Sequence, residues 1–243
     1  MWWAGRDAAY LDEPSAVTVG RMVLGRYGGR TDAGANKNED AALLLQGEDW
    51  ELAVVADGHG GADSAAFLIE LLHDDPDVAG IMARPAADAL SVVRTHLVKR
   101  MQGADLDHLW GEAAVLMVAR KDRYAAWLNV GDNLAFVLHP ELARLGQRTL
   151  NQRSFFEWVG RVDSLRLEVP SYASGVHALR PGRTRIALVT DGALEFFADL
   201  YEGPLDAAVA QLTQRVHDGR GVDSATVVAW DVVAGESPMQ PSA

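Results

Sequence analysis

Residues 52–56, Leu-Ala-Val-Val-Ala, form a short apolar run that stops at Asp57-Gly58-His59-Gly60-Gly61. Such a run, Val-containing and bounded by a turn signal, reads as a buried strand. Asp57 then stands at a strand tip, where a carboxylate is well placed to hold a metal or a proton. Gly58 leaves room for other groups to approach the backbone. Taken alone, Asp-Gly after a strand is also an ordinary turn or helix cap. Its meaning depends on what the rest of the chain brings to it. The device recurs at Thr184-Arg-Ile-Ala-Leu-Val-Thr-Asp191-Gly192.

Other carboxylates sit at strand edges too. Asn38-Glu39-Asp40 precedes an apolar strand at residues 41–45. With the strand at 52–56 it suggests a hairpin turned at Gln46-Gly47-Glu48-Asp49. In that register Glu39 and Asp40 converge on Asp57, and a one-residue slip would separate them. Residues 124–130 end in Gly131-Asp132-Asn133, which by itself is a good hairpin turn. Asp223 stands just before a last apolar strand at 225–230.

Between these edges the pattern alternates in character. Residues 16–27 alternate in part and read as a strand. Helices are expected over 62–73 and 86–101, the second with Leu90, Val93, Leu97 and Met101 at three- and four-residue steps. His96 within it reads as a surface or packed histidine. Runs at 113–119, 124–130 and 134–138 suggest an antiparallel meander, with a short strand over 144–149 after it. Phe155, Phe156 and Trp158 suggest a short helix, and 164–169 and 175–179 are strands or flap-like loop. A short helix begins at 193–197, and 205–216 is amphipathic. Residues 1–16 read as a loosely attached arm, 17–232 as one domain and 233–243 as a flexible tail.

Bulk properties remove several functions. The net charge of −12, from 34 acidic and 22 basic residues, argues against nucleic acid and against an anionic membrane as partners. With no cysteine, thiolate catalysis, thiolate metal sites and disulfides are excluded, and the composition fits a reducing compartment. The first residues lack the basic start and apolar core of a signal peptide, and no run approaches the ~20 apolar residues that span a bilayer. A soluble cytoplasmic protein is expected.

Five strand edges thus carry carboxylates: Glu39/Asp40, Asp57, Asp132, Asp191 and Asp223. Such a cluster repels itself unless a cation neutralises it. All-oxygen sites suit Mg²⁺ or Mn²⁺ rather than zinc. Paired ions of this kind activate a water and clamp a phosphoryl oxygen. No serine–histidine triad and no Gly-rich Lys phosphate loop is evident. Hydrolysis of a phosphomonoester is the natural chemical reading.

Asn38-Glu39-Asp40-Ala41, Val55-Ala56-Asp57-Gly58-His59-Gly60-Gly61, Asn129-Val130-Gly131-Asp132, Val189-Thr190-Asp191-Gly192 and Val222-Asp223-Ser224 occur in this order. They resemble the ordered motifs of the metal-dependent serine/threonine phosphatases of the protein phosphatase 2C type, over residues 17–232. The resemblance implies an α+β fold, a four-layer α-β-β-α sandwich of two antiparallel sheets flanked by helix pairs, with metals in a cleft at one end. It implies Mn²⁺ or Mg²⁺, two ions, with Asp132 and Asp191 matching the place of a weaker third. Asp57 would bridge both metals and the Gly58 carbonyl would bind the second. Asp191 and Asp223 would hold the first, and Glu39 would sit in the second's shell. Asp40 would bind or orient metal water, and His59 would be the general acid for the leaving alkoxide. The implied partner is a phosphorylated protein, the product of a serine/threonine kinase, and the implied state is a monomer.

The chain departs from the family's pattern in places. Where an Arg usually grips phosphate it has Ala35, with Lys37 or Arg30 as substitutes that offer less or other geometry. The usual Asp-Asn is Asp223-Ser224, and 146–180 is divergent. Ala35 keeps open a second reading, hydrolysis of a small phosphorylated metabolite; a third is a metal-binding regulatory module of the same fold, against which the retention of every carboxylate argues.

Overall fold

The computed structural model describes residues 1–7, 13–30, 32, 37–197 and 200–235. The chain runs β1 (Trp2–Ala4), β2 (Ser15–Val19), β3 (Met22–Tyr27), β4 (Ala41–Gln46), β5 (Trp50–His59), α1 (Asp63–His73), α2 (Val78–Met82) and α3 (Ala86–Gln102). It continues with β6 (Glu112–Lys121), β7 (Tyr124–Val130), β8 (Leu134–Leu138), α4 (Pro140–Arg144), β9 (Val159–Gly160) and β10 (Ala173–Ala178). It closes with β11 (Gly182–Val189), α5 (Asp191–Leu194), α6 (Leu205–Asp218) and β12 (Ala225–Ala234). One antiparallel sheet has the order β1-β4-β5-β6-β7-β10, with β9 on β6; the other has the order β2-β3-β12-β11-β8.

The continuous apolar runs have their explanation in this layering. Leu52, Val54 and Ala56 of β5 share one core with Leu68 and Ile69 of α1, which covers β5, and with Val93 and Leu97 of α3, which covers β6 and β7. Their neighbours Ala53 and Val55 face the other way, against Leu188 of β11 and Trp230 of β12 between the sheets. Val227 and Ala229 of β12 turn outward to Val209 and Leu212 of α6. A strand covered on both faces has no polar face to show, so alternation is lost. The four layers expected from the resemblance are present, but unevenly. The first sheet carries α1 and α3, with the short α2 packed on α3; the second carries α6 and a four-residue α5 rather than two long helices.

Trp230 lies fully buried between the sheets and is the largest such side chain. Trp230→Ala should therefore destabilise the fold by ~3–5 kcal/mol, the range for emptying a large aromatic from a core. Urea unfolding measures this, and a loss below about 1 kcal/mol would contradict the inter-sheet packing described here.

The hairpin register agrees with expectation: Ala41 faces Ala56 and Leu45 faces Leu52. Several other expectations need correction. The start of the chain is no loose arm, since Trp2–Ala4 pair with Ala41–Leu43 as an edge strand. Residues 16–27 are not one strand; Gly20 at φ +60° turns the segment into the β2–β3 hairpin. Strand β8 does not continue the meander: it leaves β7 and pairs with β11 in the second sheet, Leu134 facing Val189. Both faces of β8 are buried in either sheet, so its apolar pattern cannot distinguish them. Phe155 and Phe156 do not form a helix with a packed face but stand exposed in a turn. Residues 144–149 contribute a single bridge, Phe136 to Thr149. Residues 164–166 form one 3-10 turn, and residues 173–178 form β10 on β7. The tail beyond residue 235 and Ala35 lie outside the described residues. Among the described residues no helix is long and apolar enough to cross a membrane.

Candidate metal centre

Antiparallel pairing does most of the positioning. Because Ala41 faces Ala56, residues 39 and 40 stand beside the end of β5 that carries Asp57. In the second sheet Val189 faces Val227, so Asp191 just past β11 meets Asp223 just before β12. Stacking the sheets face to face brings these two ends together. Asp132 is delivered by the crossing from β7 to β8, the step that changes sheet. A cleft of about 330 Å³ results, lined by Glu39, Asp57, Asp132, Asp191, Asp223 and Arg153 among others. Carboxylate oxygens of Asp57, Asp132 and Asp191 lie within 4.8 Å of one another.

Three hydrogen bonds join the sheets there. The Thr190 hydroxyl donates to Asp40 Oδ2 at 2.9 Å and the Ser224 hydroxyl to Asp40 Oδ1 at 3.0 Å. The Asp191 N–H donates to Asp57 Oδ2 at 3.3 Å. The two Asp-Gly glycines are explained by close approach. A Cβ on Gly58 would stand 2.6 Å from the Glu39 carbonyl oxygen, and one on Gly192 2.0 Å from that of Ser224. Neither glycine lies in the left-handed region, so space and not φ requires them.

Burial and mutual repulsion push five of these carboxyls, Glu39, Asp40, Asp57, Asp191 and Asp223, above the usual carboxylate range. Glu39 is pushed up to about 7 by burial and then by Asp40. Asp223 is pushed up to about 7 by burial, then by Asp40 and Asp191. Asp40 rises to about 6 through burial, although hydroxyl hydrogen bonds oppose the shift. Burial, then Asp40, Asp191 and Asp223, carry Asp57 well above the carboxylate range. Asp191 also rises, through burial and then Asp132. Against this stands one guanidinium: Arg153 Nη2 donates to Asp132 Oδ2 at 2.6 Å and lies 3.8 Å from Asp191 Oδ2. A site of clustered, buried, all-oxygen donors with too little positive charge fits hard divalent cations.

The structure brings together Glu39, Asp57, Gly58, His59, Asp132, Asp191 and Asp223 on one cleft. Asp40 lies behind it, fully buried, and ties the two sheets rather than facing the opening. Exposed His59 stands at the mouth, stacked on Trp158 with ring centroids 5.5 Å apart. Arg30 and Lys37 are not among the cleft's lining residues. Arg30 pairs with Asp32 at 3.0 Å, and Lys37 donates to the Gly29 carbonyl at 2.9 Å. Arg153 was missed by sequence reading. It sits in the stretch 146–180, where no periodicity marks it, and only the fold reveals its position. Thr190 and Ser224 lay within the quoted motifs, but nothing local shows that both reach Asp40.

No protein-family model matches the chain, and no curated protein matches it. Solved structures do. A bacterial serine phosphatase carrying a point mutation is 17% identical, covering 87% of this chain and 97% of its own at a TM-score of 0.66. RsbX in complex with magnesium is 12% identical, covering 90% of this chain and 100% of its own at a TM-score of 0.62. The catalytic domain of the serine/threonine protein phosphatase PstP, in complex with two manganese ions, is 16% identical, covering 87% of this chain and 98% of its own at a TM-score of 0.57. The chain therefore shares the fold of these bacterial phosphatases over most of its length.

Proposed function

We propose that this chain is a metal-dependent phosphatase that hydrolyses phosphoserine and phosphothreonine monoesters on proteins. The observation that carries the reading is the convergence of Glu39, Asp57, Asp132, Asp191 and Asp223, from both sheets, on one cleft. Asp57, Asp191 and Asp223, with Glu39 and the Gly58 carbonyl, are the residues that hold two Mn²⁺ or Mg²⁺ ions, and Asp132 with Asp191 suits a third. Manganese in the PstP domain and magnesium in RsbX support that choice of ion. When bound, such ions supply an activated water and neutralise charge on the phosphoryl group.

The chain's own residues have separate tasks. Asp40, gripped by Thr190 and Ser224, keeps the two strand ends in register. His59, at the cleft mouth, gives a proton to the serine or threonine oxygen as its bond to phosphorus breaks. Arg153 is paired with Asp132. With cations taking up that carboxylate, its planar fork can turn to phosphate oxygens. Residues 17–232 carry every residue of this scheme. The cysteine-free composition suits a cytoplasmic setting, with the products of a serine/threonine kinase as substrates.

The test is hydrolysis of a phosphoserine peptide, a phosphothreonine peptide and p-nitrophenyl phosphate, with Mn²⁺ and with excess EDTA. Metal-dependent turnover of the peptides is expected. Turnover of the small ester alone would redirect the reading to a small phosphorylated metabolite. Metal binding without turnover of any ester would make the chain a regulatory module.

A further inference from the structure

Beside the metal cleft lies a second hollow of about 380 Å³, and the two share Arg153, Asp191 and Asp223 as walls. Its far side is formed by Phe196, Val222 and Arg220. Arg220 is unusual in its backbone. Helix α6 ends at Gly219 in a Schellman arrangement: the Arg220 N–H donates to the His217 carbonyl and the Gly221 N–H to the Val216 carbonyl, both at 2.9 Å. That places Arg220 at the left-handed position after the cap, with φ +60°. Glycine normally takes this position because a Cβ there is unfavourable. Here the glycines are the flanking residues, packed so that a Cβ on Gly219 would meet Phe196 at 2.0 Å and one on Gly221 would meet Val216 at 2.7 Å. The Arg30 N–H further pins the loop by donating to the Gly221 carbonyl at 3.2 Å.

The loop is thus held firmly, with an arginine where local energetics favour glycine or asparagine. The arginine's side chain is exposed, and among the described residues no acceptor or carboxylate takes it. The charges facing the hollow are Arg153 and Arg220 against Asp191, Asp223 and Glu195. Once cations take up Asp191 and Asp223, the remaining balance is positive. We infer that Arg220 forms an anion subsite, receiving a second acidic group of the substrate, a carboxylate or phosphate on a residue near the scissile phosphoserine. This rests on the phosphatase reading in that the scissile phosphate occupies the adjoining cleft.

The test compares phosphoserine peptides flanked by alanines, by glutamates, or by a second phosphoserine. Binding is read by fluorescence anisotropy with Mn²⁺ present, and turnover is followed in parallel. The proteins are the wild type, Arg220→Asn and Arg220→Lys. Asparagine suits the left-handed backbone without charge, so R220N should melt at or above the wild-type temperature. The wild type should bind at least one acidic peptide roughly 10-fold more tightly than the alanine peptide, as one charge-assisted contact allows. R220N should lose that preference and R220K should keep part of it. Whichever acidic peptide binds tighter identifies the group recognised. Equal affinity of the wild type for all three peptides, or a preference that survives in R220N, overturns the inference. A preference lost in R220N but accompanied by no hydrolysis leaves the subsite standing and removes the phosphatase reading; hydrolysis without preference does the reverse.

Discussion

Replacing Asp57 by Asn is expected to lower metal-dependent phosphoester turnover by about 10³-fold or more, equivalent to ~4 kcal/mol of transition-state stabilisation. Asp57 lines the cleft and sits within 4.8 Å, oxygen to oxygen, of Asp132 and Asp191. Its carboxyl is also pushed well above the usual carboxylate range, by burial and by Asp40, Asp191 and Asp223. The amide removes both a charge that a cation needs and a charge that its neighbours repel. Its oxygen can still accept from the Asp191 N–H, which now donates at 3.3 Å. Activity and stability should therefore move in opposite directions. Without metal, Asp57→Asn should melt at or above the wild type near neutral pH; with Mn²⁺, it should gain far less than the wild type. Turnover assays, calorimetric Mn²⁺ titration and thermal melts check the three parts. Wild-type turnover by this variant in the presence of excess EDTA would refute the assignment of the centre.

The second large effect is on stability itself. In the metal-free protein Glu39 and Asp223 are held up to about 7 and Asp40 to about 6. In the unfolded chain such carboxyls titrate near 4. The sign follows from proton counting. Between about pH 4 and pH 7 the folded state binds more protons than the unfolded state, so stability falls as pH rises. These groups impose no penalty below the unfolded pKa. Their penalty grows as pH rises above the unfolded value, by at most roughly 1.4 kcal/mol per group per pH unit, and levels off once pH has passed the folded values. The metal-free melting temperature should therefore drop from about pH 5 to about pH 8. Divalent cation reverses this by taking the place of the protons. At a hundredfold excess over Kd it adds ~2.7 kcal/mol, a rise of roughly 5–10 °C for a chain of this size. Calorimetry in buffers of differing ionisation enthalpy should detect proton release on Mn²⁺ binding. A metal-free melting temperature that is flat or rising over this range would contradict the arrangement of charges described here.

The anion subsite at Arg220 bears on what the cleft can select. Arg153 is engaged by Asp132, whereas Arg220 is exposed and projects from a loop fixed by its own hydrogen bonds. On the proposed reading Arg153 serves the scissile phosphate beside the carboxylates and Arg220 the substrate's flanking residues. That division would let selectivity change without disturbing the centre.

Much of this was legible along the chain, and the reasons are local. An apolar run closed by Asp-Gly needs no distant partner to be recognised, because strand and turn chemistry are both short-range. The repetition at Asp57-Gly58 and Asp191-Gly192 therefore pointed to strand ends that line one cleft. The hairpin of β4 and β5 was equally readable, since a short turn sets its own register. The helices α1, α3 and α6 showed in their three- and four-residue spacing. The sequence alone thus determined the carboxylates at the strand edges, the lack of any thiolate, and most strands and helices.

The tertiary structure decided the rest. It moved β8 into the second sheet, a choice invisible in a strand buried on both faces. It turned Asp40 from a cleft residue into the buried tie between sheets, because Thr190 and Ser224 lie 150 and 184 positions away. It brought Arg153 to the carboxylates from a stretch with no periodicity, and it set Arg220 in a left-handed cap whose purpose no local pattern expresses. The physical reason is the same throughout. Donor type and strand periodicity are properties of a few adjacent residues, whereas which charges face one another depends on how two sheets stack, and that is settled only when the core between them closes.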